Sequence, residues 1–182
     1  HELLCFLSFF VVASGVNAFN MAPLYGSAES SARHAFFPSA SILSTTGFST
    51  VDFTAWPAFS QGILFVLMFL GGCSGSTAGG LKISRVMMLF QSIRRELQHV
   101  LHPRSTSVVR IENKKVDDAV ISSCNTYFSL YIISIAVIFL LICREPFGLE
   151  TNLTAAISCF NNVGSCFGMI SPSGNYAAFS PF

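Results

Sequence analysis

Ala119 to Cys143 is a run of 25 positions without one charged residue, opened by Asp117-Asp118 and closed by Arg144-Glu145-Pro146. As a helix it would measure about 37 Å, enough for a tilted crossing of a hydrocarbon core about 30 Å thick. The rest of the chain agrees: 52% of the 182 residues are hydrophobic and 10% are charged, whereas soluble domains carry about 25% charge. Mean hydropathy is +0.60. The expected class is an all-α integral membrane protein. A second apolar run, Leu3 to Phe19, ends in a small-x-small pattern at Val16–Ala18 but lacks the basic leading region of a signal peptide. It is read as a membrane span cut short at its start, and the chain as a piece of a longer protein.

Charge placement sets the orientation. Eight of the ten Lys and Arg residues fall between Lys82 and Lys115, and by the positive-inside rule that segment faces the cytoplasm. A net charge of +1, with its basic residues gathered beside a membrane segment, gives no surface for nucleic acid. The six cysteines are scattered in apolar context with no C-x-x-C pair, so neither zinc nor a disulfide framework is indicated. Cys159 and Cys166 are expected as two buried thiols. His99 and His102 lie three apart but have no third ligand nearby, which reads as a solvated helix end.

Two shorter stretches cannot cross. Ser31 to Ser44 and Thr151 to Phe160 would make helices of only about 15 to 20 Å. Each follows a full span and ends in a glycine-bearing polar tetrad. Shifting the sequence by 117 positions lays Ser41 on Ser158 and Gly47 on Gly164, with the same order of span, half-helix, turn and return. Non-helical backbone at membrane depth finds no partner in lipid, so it must be buried in protein or border water. A half-helix entering from outside aims its negative dipole end at the membrane centre, and the turn beyond it can present carbonyl oxygens to a common axis. Cations are favoured on both counts.

The chain from Pro57 to Leu101 poses the opposite problem. Unbroken, it would be a helix of about 67 Å, more than twice the core thickness. Gly71 to Gly80, "GGCSGSTAGG", is the natural break: ten small or polar residues, five of them glycine. Pro57 to Leu70 covers only about 21 Å, so the loop lies within or just below the core, facing water. Gly71, Gly72, Gly75, Gly79 and Gly80 supply flexibility, Ser74, Ser76 and Thr77 supply hydroxyls, and Cys73 and Ala78 complete the run. A helix-packing face with Gly71 and Gly75 four apart is the alternative. Walker A, dinucleotide and nucleophile-elbow motifs all fail on spacing.

"STTGFST", "GGCSGSTAGGLKISR", "LHPRS" and "NNVGSCFG", in this order, resemble the membrane subunit of the Trk/Ktr/HKT potassium-uptake family. The resemblance implies potassium-channel-like repeats of helix, re-entrant pore loop and helix, four to a chain. Residues 1–101 correspond to the third repeat, with span 3–19, pore helix 31–44, filter 45–48 and a broken inner helix 57–101. Residues 102–116 form a cytoplasmic linker, in which alternation around Glu112-Asn113-Lys114 signals a hairpin. Residues 117–182 start the fourth repeat, with span 119–143, pore helix 151–160 and filter 162–165.

The resemblance further implies K+ transport, with K+ as the only metal, held by the carbonyls of Thr45, Thr46, Gly47, Phe48, Asn162, Val163, Gly164 and Ser165. It makes loop 71–80 an intramembrane gate. It also implies no cofactor in this chain, no enzymatic activity, a multi-pass place in the plasma (inner) membrane, a homodimer, and a cytoplasmic nucleotide-binding regulatory subunit. A membrane-embedded enzyme using Ser74 or Ser76 is the alternative, weakened because His34 is expected outside and His99 and His102 inside. A non-conducting scaffold subunit is a further one.

Other residues take expectations from position. Lys82 and Arg85, one turn apart after the loop, are either snorkelling anchors or a charge at the pore mouth. Phe36, Phe37, Phe53 and Trp56 are placed like an interfacial aromatic belt, and Asp52 caps a helix or draws cations. Ser122, Ser123, Asn125, Thr126, Ser129 and Ser134 are expected to face protein.

Overall fold

A computed structural model of the chain describes residues 2–102, 110–111, 114–170, 174 and 176–179. Its regular structure is helical: α1 (Glu2–Tyr25), α2 (Ala28–Leu43), α3 (Ala58–Leu67), α4 (Ile83–Leu101), α5 (Asp118–Ile142) and α6 (Leu149–Phe160). Among the described residues the one sheet is a two-residue pairing of β1 (Arg110–Ile111) with β2 (Lys114–Lys115), antiparallel, Arg110 opposite Lys115. Residues 103–109, 112 and 113, on which the expected hairpin around Glu112-Asn113-Lys114 falls, lie outside the described residues.

Length divides the helices into two kinds. α1 and α5, 24 and 25 residues, are long and apolar enough to cross a bilayer. α1 runs six residues past Phe19, carrying Pro23 in its last turn. α2 and α6, with 16 and 12 residues, reach only about 24 and 18 Å, well short of the hydrocarbon core. The inner segment is broken earlier than its glycines alone require: α3 stops at Leu67, and α4 resumes at Ile83.

The chain reverses between α1 and α2 at Gly26, whose φ of +67° is open to glycine without strain. Ser27 then caps α2, its hydroxyl accepting from the Ser30 N–H at 3.2 Å. The two helices pack side by side, with Phe10 edge-on to Phe36 (centroids 5.6 Å apart) and Tyr25 stacked on His34 (4.6 Å). Asn20 donates to the Ser60 hydroxyl at 2.8 Å and fixes α1 to α3. Met21, Ile42, Leu43, Leu64, Met68 and Ile83 are buried where these helices meet the start of α4. Lipid is as apolar as these side chains, so close packing and hydrogen bonds, rather than escape from water, hold them. Arg95 of α4 reaches Asp118 at 2.6 Å and ties α4 to the start of α5.

Three positional expectations are corrected. Phe53 and Trp56 are buried, at 1% and 4% exposure, so only Phe36 and Phe37 remain for an aromatic belt. Phe53 meets Phe167 edge-on at 5.1 Å and Trp56 donates its indole N–H to the Tyr25 hydroxyl at 3.2 Å; these long-range contacts draw both rings inward. Ser122, Ser123, Asn125, Thr126 and Ser129 face outward on α5. The hydroxyls of Ser123, Thr126 and Ser129 are satisfied by the carbonyls of Ala119, Ser122 and Asn125, one turn back. The protein-facing stripe is Ile121, Cys124, Tyr131 and Ile135. Finally, Cys166 is buried but Cys159 is exposed, and both thiols are free. Asp52 does cap a helical turn, accepting from the Thr54 N–H at 3.0 Å and its hydroxyl at 2.6 Å.

Candidate functional site

The half-helices α2 and α6 end in the same backbone device. At the end of α2, N–H groups of Ser44, Thr45 and Thr46 bond the carbonyls of Ala40, Ile42 and Ser41 at 2.9, 3.0 and 2.8 Å. At the end of α6, N–H groups of Asn161, Asn162 and Val163 bond those of Ile157, Cys159 and Ser158 at 3.0, 3.2 and 2.9 Å. Every donor and acceptor is displaced by 117 positions. The dihedrals repeat too: Thr45 and Asn162 both have φ of 56°, and Gly47 and Gly164 have φ of 77° and 93°. Left-handed backbone at a β-branched threonine is a genuine strain. Its recurrence at both sites marks a shape imposed on the chain, in which the peptides beyond each helix turn away from the helical direction.

The two turns touch. A Cβ on Gly47 would collide with the carbonyl oxygen of Val163, so only glycine lets the two backbones come this close. Each turn begins at a helix C-terminus, where unpaired carbonyls carry partial negative charge. Thr45–Phe48 and Asn162–Ser165 are therefore brought together beyond two helix C-termini.

Against this pair lies the glycine-rich loop. Leu70 and Leu81 form a parallel bridge, with Gly71 N–H on the Leu81 carbonyl at 2.7 Å and Leu81 N–H on the Phe69 carbonyl at 2.9 Å. Residues 71–80 thus form a closed, non-helical loop, which removes the helix-packing reading of Gly71 and Gly75. Gly71 and Gly72 are buried, whereas Ser74 to Thr77 are exposed. On the opposite flank the Gly79 N–H donates to the Thr45 hydroxyl at 3.2 Å. A Cβ on Gly79 would strike the Asn161 carbonyl oxygen. The loop is wedged against the ends of both half-helices.

Charged groups pin the loop from two sides. The Lys82 ammonium folds back and donates to the Ser76 and Ala78 carbonyls at 2.7 and 2.5 Å, contacts that a free snorkelling anchor does not make. Arg85 instead covers the Tyr127 ring, its guanidinium carbon 3.9 Å from the centroid. The Glu2 carboxylate accepts from the backbone N–H of Ser74 at 2.6 Å and of Ser84 at 3.2 Å. One oxygen joins the loop tip to the first turn of α4, an anion at a helix N-terminus. Ser76 uses its hydroxyl to accept from the Ala78 N–H at 3.1 Å, and His34 is stacked on Tyr25.

Comparison with known proteins bears on the same residues. The family model described as "TrkH: Cation transport protein" matches residues 3–180. The chain belongs to the TrkH family. The Trk system potassium uptake protein TrkH of Salmonella typhimurium is 30% identical over 158 residues, covering 87% of this chain and 32% of that protein. The Trk system potassium uptake protein TrkG of Escherichia coli is 33% identical over 140 residues, covering 77% and 29%. The crystal structure of the potassium transporter TrkH from Vibrio parahaemolyticus superposes with a TM-score of 0.86 at 28% identity, covering 93% of this chain and 36% of that one. The chain spans about a third of the length of the curated relatives it matches.

Within this TrkH-family chain, all eight expected turn residues sit in the two adjoining turns, and the loop meets their half-helix ends through Gly79. Sequence reasoning missed three participants. Glu2 reads as a charge at a helix end, yet it holds positions 72 and 82 residues away. Asn161, fully buried beside Gly79, accepts from the Tyr131 hydroxyl at 2.8 Å. The only local signals were a polar residue directly before the tetrad and a tyrosine on the buried stripe of α5.

Proposed function

We propose that this chain contributes the third and part of the fourth repeat of a pore for potassium uptake. K+ sheds water onto backbone carbonyls of Thr45–Phe48 and Asn162–Ser165, and loop 71–80 is the gate beneath them. The observation that carries the reading is the recurrence of one left-handed turn at two half-helix C-termini, in contact through Gly47 and Val163. Carbonyl oxygens suit potassium because they replace its hydration shell without adding net negative charge. The names of the relatives, potassium uptake proteins, support the choice of ion.

The gate follows from the same contacts. A loop fastened to Thr45 and pressed on Asn161 obstructs any ion leaving the carbonyl cluster, and a loop with five glycines can withdraw without breaking a helix. The assembled protein is a multi-pass subunit of the plasma membrane, working as a homodimer. A nucleotide-binding regulatory subunit docks on the cytoplasmic face bearing α4 and the linker that follows it, the segment in which the sequence gathers its Lys and Arg residues.

The test uses the full-length protein in cells lacking other potassium uptake. Gly164→Ser is the informative change, because a Cβ there meets no atom while its φ of 93° resists a side chain. The protein should accumulate but lose potassium preference over sodium, or fail to support growth at low potassium. Unaltered selectivity and growth would remove the carbonyl-filter reading.

A further inference from the structure

The two glycines of the paired turns are held differently. Gly47 is packed against the Val163 carbonyl, but among the described residues, chain neighbours aside, no atom lies within 4 Å of where a Gly164 Cβ would be. Something else must fix the Gly164 peptide. Its carbonyl oxygen accepts from the Tyr176 hydroxyl at 2.9 Å. The same phenol oxygen lies 2.7 Å from the Cys166 sulfur, a contact in which either group can donate. The thiol also lies 4.0 Å from the Gly164 carbonyl oxygen. Tyr176, Cys166 and the Gly164 carbonyl thus form one cluster.

The rest of the segment explains how the phenol reaches that carbonyl. Tyr176–Ala178 is a short 3-10 turn closed by the Phe179 N–H on the Tyr176 carbonyl at 3.1 Å. Phe179 packs on Ala155, Cys166 and Ile170 and against the Phe147 ring, centroids 4.7 Å apart, which anchors the turn to α6. The third repeat has no such brace. The positions 117 residues earlier are Ser49, whose hydroxyl is engaged by the Val51 carbonyl, and Phe59, which has no hydroxyl and is 63% exposed.

We propose that Tyr176 is a positioning residue for ion selection, a strut that fixes the direction of the Gly164 carbonyl in the fourth-repeat turn. A carbonyl oxygen has two acceptor lone pairs, so it can hold the phenol and still coordinate a cation. The strut stops the unpacked glycine peptide from rotating to fit a smaller ion. It acts on the difference between potassium and sodium more than on the rate of either.

This inference rests on the carbonyl-filter reading above, and the experiment separates the two. In the full-length protein, Tyr176→Phe keeps the ring and removes only the hydroxyl. At matched membrane abundance the ratio of potassium to sodium uptake should fall about two- to tenfold, the range expected for one hydrogen bond. An unchanged ratio overturns the strut. If Tyr176→Phe fails to accumulate, Cys166→Ala, which removes the sulfur that touches the phenol and lies beside the same carbonyl, should lower the ratio in the same direction, and an unchanged ratio there also overturns it. Gly164→Ser is run alongside. A selectivity loss in Gly164→Ser with none in Tyr176→Phe defeats the strut alone; no loss in either defeats the filter reading as well.

Discussion

The backbone N–H of Gly79 donates to the side-chain hydroxyl of Thr45 at 3.2 Å, so the glycine-rich loop is fastened to the first residue of a turn 34 positions away. Thr45→Val keeps the branched shape and the strained φ but removes the acceptor. With the loop acting as a gate, basal uptake of rubidium tracer through the full-length protein should rise about two- to tenfold, the worth of one hydrogen bond. Basal flux equal to the parent's at equal abundance would show that the fastening does not restrain the loop.

Gly79→Ala attacks the other contact of the same residue. Its methyl would meet the backbone carbonyl of Asn161, which cannot swing aside as a flexible side chain does. Overpacking of this kind costs about 1–3 kcal/mol, relieved by moving the loop off the half-helix end. The expected result is a lowered unfolding temperature together with raised basal uptake. Gly15→Ala on α1, where a Cβ meets nothing within 4 Å among the described residues, should neither lower the unfolding temperature nor raise uptake, since alanine is the better helix former.

Lys82 holds the loop through the Ser76 and Ala78 carbonyls. Lys82→Gln retains polar reach but loses the ammonium's charge and one of its donors. Leak uptake should increase by a factor of about 3 to 10, in line with the loss of a charge-assisted bond. Tracer flux measured with the purified full-length protein alone in vesicles decides the matter, because a parent-like leak would return Lys82 to an anchoring role.

Tyr131→Phe removes the donor to the buried Asn161 side-chain oxygen, 2.8 Å away. Leaving that acceptor unsatisfied should cost about 1–3 kcal/mol. Thermal unfolding of the purified full-length protein in detergent should show a lowered midpoint. A midpoint matching the parent's would mean that Asn161 finds another donor.

Much of this arrangement was legible because the bilayer restricts what a sequence can do. The charge-free run at 119–143 announces α5, and the shortness of 31–44 and 151–160 marks half-helices before any tertiary contact is known. The register of 117 positions carried further than its slight identity suggested, since three hydrogen bonds and two unusual dihedrals obey it in both repeats. Long-range pairings were not legible. Phe53 and Trp56 read as interfacial rings because nothing near them in sequence announces Phe167 or Tyr25. The hydroxyls on α5 read as protein-facing because the pattern of residue types does not reveal that each can turn back on its own helix. Nothing near Glu2 in sequence announces its partners, Ser74 and Ser84, which lie 72 and 82 positions away.

The bridge between Leu70 and Leu81 has a mechanical consequence. It ties the two stalks of the loop together at their base, so a pull on α4 from the cytoplasmic side is not absorbed by stretching the ten residues above. The knot passes such a pull on as a tilt of the whole lariat, and a small displacement at the base becomes a larger sweep at Ser74–Thr77. In the gate proposed above, a lever arm of this sort would let a weak, distant force move the loop while the surrounding helices keep their places.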